Sequence, residues 1–219
     1  MEDDQIRSKQ RVIDHGEVFT SSKEVNAMLD LVSTEAERID SRFLEPACGT
    51  GNFLIEVLER KMNSVFVNYK TSRVECEKYL VIAVGSLYGI DLLPDNVEEC
   101  RQKLLNKVVT KYSYFFNETM SENLEKTLSF ILSKNIVCGD ALNMCHTDGT
   151  SIVFSEWTGV TGSLIKRRDF SFSELVRASG KQTSLFDAGW SSEKKKAEFV
   201  PTPISNHAAI HYTELYKDD

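Results

Sequence analysis

The stretch EPACGTGNFL, residues 45–54, places two glycines and a proline in one turn between two apolar segments. SRFLEP (41–46) has the pattern of a short strand, and NFLIEVLERKM (52–62) has that of an amphipathic helix. Glycine adopts positive φ at little cost and lets a ligand lie against the backbone, and the first turn of a helix offers free N–H groups. The stretch predicts a strand–turn–helix unit. Its turn either contacts a ligand or is a tight connection between strand and helix that binds nothing. If a ligand is present, a side chain at Gly51 is expected to point at it.

Strand and helix patterns alternate along the chain to about residue 157. Helices are predicted over 21–32, 52–62, 74–84, 94–109 and 121–133, and strands over 41–46, 86–91, 135–142 and 150–157. This order is typical of an α/β fold, with a parallel sheet and helices on both faces. Residues 163–179 fit a hairpin or a short helix, and 180–206 a loop or tail. We predict a first domain over 1–160, with an N-terminal helical segment, and a C-terminal extension over 161–219.

The composition argues against a protein that grips duplex DNA by itself. The chain has 33 acidic and 26 basic side chains among 219 residues, a net charge of −7, whereas phosphate neutralisation calls for a basic surplus. Its five cysteines are widely spaced, with no CxxC pair, and no apolar run reaches the roughly 18 residues of a membrane span. These features predict a reduced, soluble, cytoplasmic protein without a metal site.

Two acidic residues stand where later strands end. Asp91 ends the predicted strand of residues 86–91, and Asp140 lies near the end of the next one. Ligands of doubly wound sheets bind outside the carboxyl ends of the strands, where a carboxylate can accept ribose hydroxyls or an adenine amino group. Each acid alone could instead cap the helix or turn that follows. Together with the glycine turn they predict a nucleoside site. A dinucleotide site is disfavoured, because Leu54 stands where G-x-G-x-x-G would need its third glycine.

The segments around the glycine turn, Asp91 and Asp140 resemble the motifs of a known family. EPACGTGNFL, YGIDLLPDNV and CGDAL resemble, in this order, the three S-adenosylmethionine-binding motifs of adenine-N6 DNA methyltransferases, above all the modification subunits of restriction–modification systems. GEVFTSSKEVNAMLDLV (16–32) looks like the family motif that precedes the glycine turn, with Ser21 where the family usually has proline. The resemblance covers residues 16–157. It implies a Rossmann-like S-adenosylmethionine-dependent methyltransferase fold, truncated or rebuilt after the fourth strand.

The resemblance also implies a cofactor site for S-adenosylmethionine. The residues that match the family's motifs near the methionine are Phe19 and Thr20; those around the methionine and sulfonium are Glu45, Pro46, Ala47, Cys48, Gly49, Thr50, Gly51, Asn52 and Phe53; those at the ribose are Asp91 and Leu92; and those at the adenine are Asp140 and Ala141.

The family's catalytic turn, Asn/Asp-Pro-Pro-aromatic, is missing. No two of the four prolines are adjacent, and the sequence IVFSEWTG occupies the expected place. Ser155 and Glu156 are candidates for accepting hydrogen bonds from a target base, and Trp157 for stacking on a base flipped out of DNA. Trp157 fits a core or rim position better, and Ser-Glu does not stiffen a turn as two prolines do.

Two functions therefore stay open. One is a DNA adenine-N6 methyltransferase-like enzyme, which would act alone or with a partner subunit that supplies DNA contacts. The other is a non-catalytic, cofactor-binding protein that regulates or tethers. QTSLF (182–186) resembles the pentapeptide that binds the bacterial sliding clamp, with Gln182 at the edge of an apolar pocket and Leu185 and Phe186 inside it. Leu185 and Phe186 could equally pack on the chain's own core.

Overall fold

The computed structural model describes residues 20–182 and 201–218. Its elements run in the order α1 (Ser22–Asp30), α2 (Ser33–Glu37), β1 (Phe43–Glu45), α3 (Asn52–Asn68), α4 (Arg73–Gly85), β2 (Leu87–Asp91), α5 (Pro94–Phe116), α6 (Glu122–Asn135), β3 (Ile136–Cys138), β4 (Val153–Gly159), β5 (Leu164–Ser171), α7 (Phe172–Gln182), β6 (Ser205–His211) and a 3-10 turn (Leu215–Lys217). The helices and strands predicted between residues 21 and 157 are all present. Within the described residues, no helix is both long and apolar enough to cross a membrane.

The start of α1 shows how local sequence sets an element boundary. The Ser21 side chain accepts a hydrogen bond from the Glu24 backbone, and the Glu24 side chain accepts one from the Ser21 backbone N–H. This capping box satisfies two N–H groups that a helix otherwise leaves without partners. The helix then buries Val25 and Leu29, which lie four residues apart on one face.

The first three strands form a parallel sheet in the order β1–β2–β3. Strand β2 is central and is buried along almost its whole length, as its continuous apolar pattern requires. Two helices form each connection, α3 and α4 before β2, and α5 and α6 before β3. The carboxyl ends of the three strands therefore lie at one edge of the sheet.

The fourth predicted strand exists, but the expectation that it extends the parallel sheet is wrong. Strand β4 pairs antiparallel with β5, which in turn pairs antiparallel with β6. A parallel neighbour needs a crossover, usually a helix. Residues 139–152 instead form turns closed by bridges from Cys145 to Asp140 and Ser151. The predicted domain boundary at residue 160 falls in the turn between β4 and β5.

The two faces of the parallel sheet have different covers. On one face, a Cβ at Gly89 would lie 3.1 Å from Leu54 of α3, so helix and sheet are in close contact. On the other face, Tyr88, Ile90 and Val137 form a cluster with side chains from β4 and its surroundings, namely Ile152, Phe154 and Phe172. Strand β4 and the first turn of α7 thus cover the face for which crossover helices were predicted.

The last described segment belongs to the main core. The Tyr212 hydroxyl donates to Glu77 Oε2 at 2.7 Å, and the Tyr112 hydroxyl donates to Glu77 Oε1 at 2.5 Å. Tyr212 and Leu215 are both buried. A buried carboxylate that accepts two hydroxyl groups fixes the end of the chain to α4 and α5.

Candidate functional site

A cavity of about 560 Å³ opens at the carboxyl ends of the three parallel strands. Its walls come from the turn after β1 (45–49), the residues after β2 (91–93) and the residues after β3 (139–142). Side chains of the flanking helices and of the chain before α1 complete the lining: Thr20, Met28, Asn52, Phe53 and Asn96. Sheet topology brings these segments together, because parallel strands end at the same edge.

Most residues predicted for the cofactor line this cavity. They are Thr20, Glu45, Pro46, Ala47, Cys48, Gly49, Asn52, Phe53, Asp91, Leu92, Asp140 and Ala141. Thr50 and Gly51 are buried and are not part of the lining. Phe19 lies outside the described residues.

Five lining residues were not predicted: Met28, Leu93, Asn96, Gly139 and Leu142. Met28 lies on α1, whose contribution is visible only once α1 is placed against α3. Asn96 could have been found, since it stands in the first turn of the helix that follows Asp91.

The two glycines of the turn have different roles. Both have positive φ, 51° at Gly49 and 89° at Gly51, and Gly49 lines the cavity. A Cβ at Gly51, however, would lie 2.6 Å from Cys100 Sγ on α5. The expectation that a side chain at Gly51 would point at the ligand is therefore wrong. That side chain would strike α5, because Gly51 is where the chain enters α3 against its neighbour.

The carboxylate of Asp91 is held in a fixed orientation on the cavity wall. It accepts hydrogen bonds from the backbone N–H of Gly49 (2.9 Å, on Oδ2) and of Leu93 (3.0 Å, on Oδ1), and from Asn96 Nδ2 (3.2 Å, on Oδ1). A carboxylate oxygen can accept two hydrogen bonds, so Oδ2, which has one donor among the described residues, can accept another. The wall is thus preorganised, and the buried Asn96 is itself part of the lining.

Asp140 closes the turn after β3. Its Oδ1 accepts the backbone N–H groups of Leu142 (2.8 Å) and Asn143 (3.2 Å), and its Oδ2 accepts Asn143 Nδ2 at 2.6 Å. These bonds lower the pKa of Asp140, and the bond from the Asn143 backbone N–H has the largest effect. Asp140 therefore caps a turn, as one interpretation of the sequence had it, and also lines the cavity.

All charged side chains in the described lining of the cavity are acidic. Its described lining includes the carboxylates of Glu45, Asp91 and Asp140 and no lysine, arginine or histidine. Burial raises the pKa of Glu45, and the hydrogen bond from the Ala47 backbone opposes this. A ligand with a positive charge would be stabilised here, whereas a phosphate or pyrophosphate would be repelled.

The thiol of Cys48 lies at the base of the glycine turn. Its hydrogen bond with Cys100 and its burial both raise the pKa of Cys48, so the thiol stays protonated at neutral pH. Within the described residues there is no group of three or more His, Cys, Asp or Glu side chains that could hold a metal ion.

The candidates for a catalytic turn lie elsewhere. Ser155 Oγ donates to Asp169 Oδ1 at 2.6 Å, Glu156 forms ion pairs with Arg42 and Arg168, and Trp157 is 5% exposed in the main core. Ser155, Glu156 and Trp157 are not part of the lining of the cavity at the strand ends. In the clamp-like pentapeptide, Gln182 is the last residue of α7, and Leu185 and Phe186 lie outside the described residues.

The fold and this site define an α/β protein whose candidate ligand cavity is acidic and lies at the carboxyl ends of parallel strands. The family model of the MmeI DNA-methyltransferase domain matches residues 18–156, and the chain belongs to this family. The resemblance to restriction–modification methyltransferases that the motifs indicated is thereby confirmed. No curated protein and no solved structure matches the chain.

Proposed function

We propose that this methyltransferase-like protein binds S-adenosylmethionine in the cavity at the carboxyl ends of β1, β2 and β3. The observation that carries the proposal is the charge of the lining, with three carboxylates and no basic side chain among its described residues. S-adenosylmethionine carries a positive sulfonium and a positive amino group against a single carboxylate, so it is a net cation, and it has no phosphate. A volume of about 560 Å³ lies within the usual range of small-molecule sites.

The residues present fit the parts of this cofactor. Asp91 would accept the ribose hydroxyls, and Asp140 would accept the adenine amino group. Glu45 stands in the turn after β1, where its charge would stabilise the positive end of the ligand. Phe53 and Leu92 offer apolar surface. When bound, the cofactor supplies an electrophilic methyl group; the chain's own residues bind and orient it.

We further propose that DNA is engaged only together with a partner subunit. Ser155, Glu156 and Trp157 belong to ion pairs and to the core and do not line the cofactor cavity, so that cavity offers no evident group for a flipped base. The same observation supports the second candidate, a non-catalytic protein that binds the cofactor and regulates or tethers. Both candidates have the same cofactor site and differ in whether a complete assembly transfers methyl groups.

Calorimetric titration of the full chain tests the cofactor proposal. S-adenosylmethionine should bind more tightly than its demethylated product, which lacks the sulfonium charge, and ATP should not bind in the same cavity. A folded sample that gives no heat with S-adenosylmethionine at about 1 mM, a concentration that detects even weak complexes, would refute the proposal. Displacement of the cofactor by ATP would contradict the role assigned to the carboxylates.

The tethering candidate includes the sliding clamp as a partner through Gln182, Leu185 and Phe186. Two apolar anchors and a few backbone hydrogen bonds suit an affinity on the order of micromolar. Changing Leu185 and Phe186 to alanine should abolish binding to purified clamp and leave cofactor binding intact. If the double variant instead unfolds or loses cofactor binding, these side chains belong to the chain's own core.

A further inference from the structure

A second and larger cavity, of about 1050 Å³, lies at the opposite end of the parallel sheet. It opens beside the amino ends of β1 and β2, where Arg42 and Ser86 line it, and it extends to α4 and to strand β4. It shares no lining residue with the cavity at the carboxyl ends. A ligand bound here would therefore be separate from the cofactor.

The charges of this second cavity contrast with those of the first. Arg42 on the loop before β1 and Arg168 on β5 both form ion pairs with Glu156 of β4, one on each carboxylate oxygen. The side chains of Arg42 and Arg168 are 58% and 39% exposed, while that of Glu156 is 10% exposed. The whole lining has four basic side chains, Arg38, Arg42, Lys78 and Arg168, and three acidic ones, Glu37, Asp40 and Glu156, so a small positive excess remains. Each guanidinium has five N–H donors, and most of them have no partner among the described residues, so they can bind an anion.

Trp157 lies on the same wall of the cavity. It is 5% exposed, and its Nε1 has no hydrogen-bond partner within the described residues. The indole Cδ1, which neighbours Nε1, lies 2.8 Å from the position of a Cβ at Gly85, and Gly85 itself lines the cavity. A buried N–H without a partner costs about 1–3 kcal/mol.

A flat aromatic surface completes the cavity. The rings of Tyr69 and Tyr79 stack on each other with centroids 3.9 Å apart and planes inclined by 9°, and both residues line the cavity. A third planar ring can extend such a stack, and the face of a nucleobase is suited to this contact.

From these features we infer that the cavity at the amino ends of β1 and β2 binds a nucleotide, with its phosphate on Arg42 and Arg168 and its base near the tyrosine stack. Arginine is the side chain best suited to phosphate, because its planar fork donates two parallel hydrogen bonds. The nucleotide can be free or part of a single-stranded nucleic acid, since both present the same phosphate and base. The inference does not depend on the cofactor proposal.

Titration of the full chain with adenosine 5′-monophosphate tests the inference, with adenosine, inorganic phosphate and a decathymidylate as the other probes. In a Trp190→Phe background, Trp157 is the only tryptophan, and its fluorescence reports binding in this cavity. We expect the nucleotide to bind at least about tenfold more tightly than adenosine or phosphate alone. Tighter binding of the decathymidylate would identify a nucleic-acid strand as the source of the nucleotide.

The variant Arg42→Gln should weaken nucleotide binding by about tenfold or more, with no change in the affinity for S-adenosylmethionine. Arg177→Gln is the matched control, because Arg177 is an exposed arginine of α7 that pairs with Glu174. If Arg42→Gln fails to fold, Arg168→Gln makes the same test, since Arg42 would then still neutralise Glu156. Absence of nucleotide binding to folded wild-type protein, or binding that neither arginine variant weakens, would overturn the inference. So would competition between the nucleotide and S-adenosylmethionine.

Discussion

The carboxylate of Asp91 accepts the backbone N–H of Gly49 at 2.9 Å, which joins the end of β2 to the glycine turn after β1. The bond links two motifs that are 42 residues apart in the sequence. It means that Asp91 both shapes the turn and presents a carboxylate to the cavity, so its replacement has two separable effects.

Replacing Asp91 by alanine should weaken binding of S-adenosylmethionine by about ten- to a hundredfold, because a charged hydrogen-bond acceptor is lost. It should also lower the free energy of unfolding, since the N–H groups of Gly49 and Leu93 lose their acceptor. Asp91→Asn keeps an acceptor oxygen and should retain more of the stability than of the affinity. Calorimetry and urea denaturation measure the two effects, and equal loss of both in Asp91→Asn would contradict a direct role in binding.

Affinity for S-adenosylmethionine should fall as the pH falls through the raised pKa of Glu45. Burial disfavours the ionised carboxyl in the free protein, and a bound cation favours it, so at acid pH binding has to expel a proton. Glu45→Gln should remove this pH dependence and reduce the preference for S-adenosylmethionine over its demethylated product by about tenfold. Glu98→Gln, at an exposed position of α5, should change neither; an unchanged pH profile in Glu45→Gln would exclude Glu45 as its cause.

Gly51→Ala should destabilise the fold by about 2–4 kcal/mol, since it combines an unfavourable positive φ with a collision at Cys100 Sγ. Gly149→Ala is the matched control, because Gly149 has φ of +82° and nothing within 4 Å of an added Cβ. Gly149→Ala should lower the free energy of unfolding only through the strain of a positive φ, by about 1 kcal/mol. Urea denaturation midpoints give both values. Equal losses in the two variants would show that α5 yields to the added methyl group.

Lys61 should make stability depend on pH above neutrality. Its Nζ is fully buried and donates to the carbonyls of Arg38 and Ile39 and to Ser86 Oγ, at 3.0, 3.1 and 2.9 Å. Burial lowers the pKa of Lys61 to about 7, against about 10.4 in an unfolded chain.

Between these two pH values the unfolded state binds more protons than the folded state, so the free energy of unfolding rises with pH, by at most about 1.4 kcal/mol per pH unit. Lys61→Met should lack this rise, and Lys126→Met, at an exposed site of α6, should keep it. Chemical denaturation from pH 7 to about 10 compares the three proteins. A rise that survives in Lys61→Met would come from another group.

The purified chain alone should not methylate DNA at a useful rate. The lining of the cofactor cavity does not include Ser155, Glu156 or Trp157, and the net charge of −7 disfavours duplex DNA. Incorporation of labelled methyl groups into genomic DNA measures this. Incorporation into adenine that Asp91→Ala abolishes would contradict the prediction and identify a stand-alone enzyme.

The sequence by itself determined the order of the main helices and strands up to β4 and, to within a few residues, where the first three strands end; after residue 160 it left a hairpin and a short helix open and did not predict β6. The glycine turn, Asp91 and Asp140 each stand at a strand end in the sequence, and parallel pairing requires those ends to meet. The capping residue Ser21 and the first-turn proline Pro94 likewise set helix starts through local geometry alone. Local backbone chemistry and sheet topology are enough for these features.

Only the tertiary structure decided where strand β4 pairs and which way a side chain at Gly51 points. The sequence of β4 fits either a parallel or an antiparallel neighbour, and the choice depends on the turns of residues 139–152 and on partners in β5. Gly51 approaches Cys100 only because α3 and α5 pack side by side. The same holds for the three candidates for a catalytic turn. Ser155 bonds to Asp169, Glu156 pairs with Arg42, and Trp157 packs against Phe130, and no local sequence pattern encodes these contacts. Such contacts join residues far apart in the chain, and their energies depend on distances that exist only after folding.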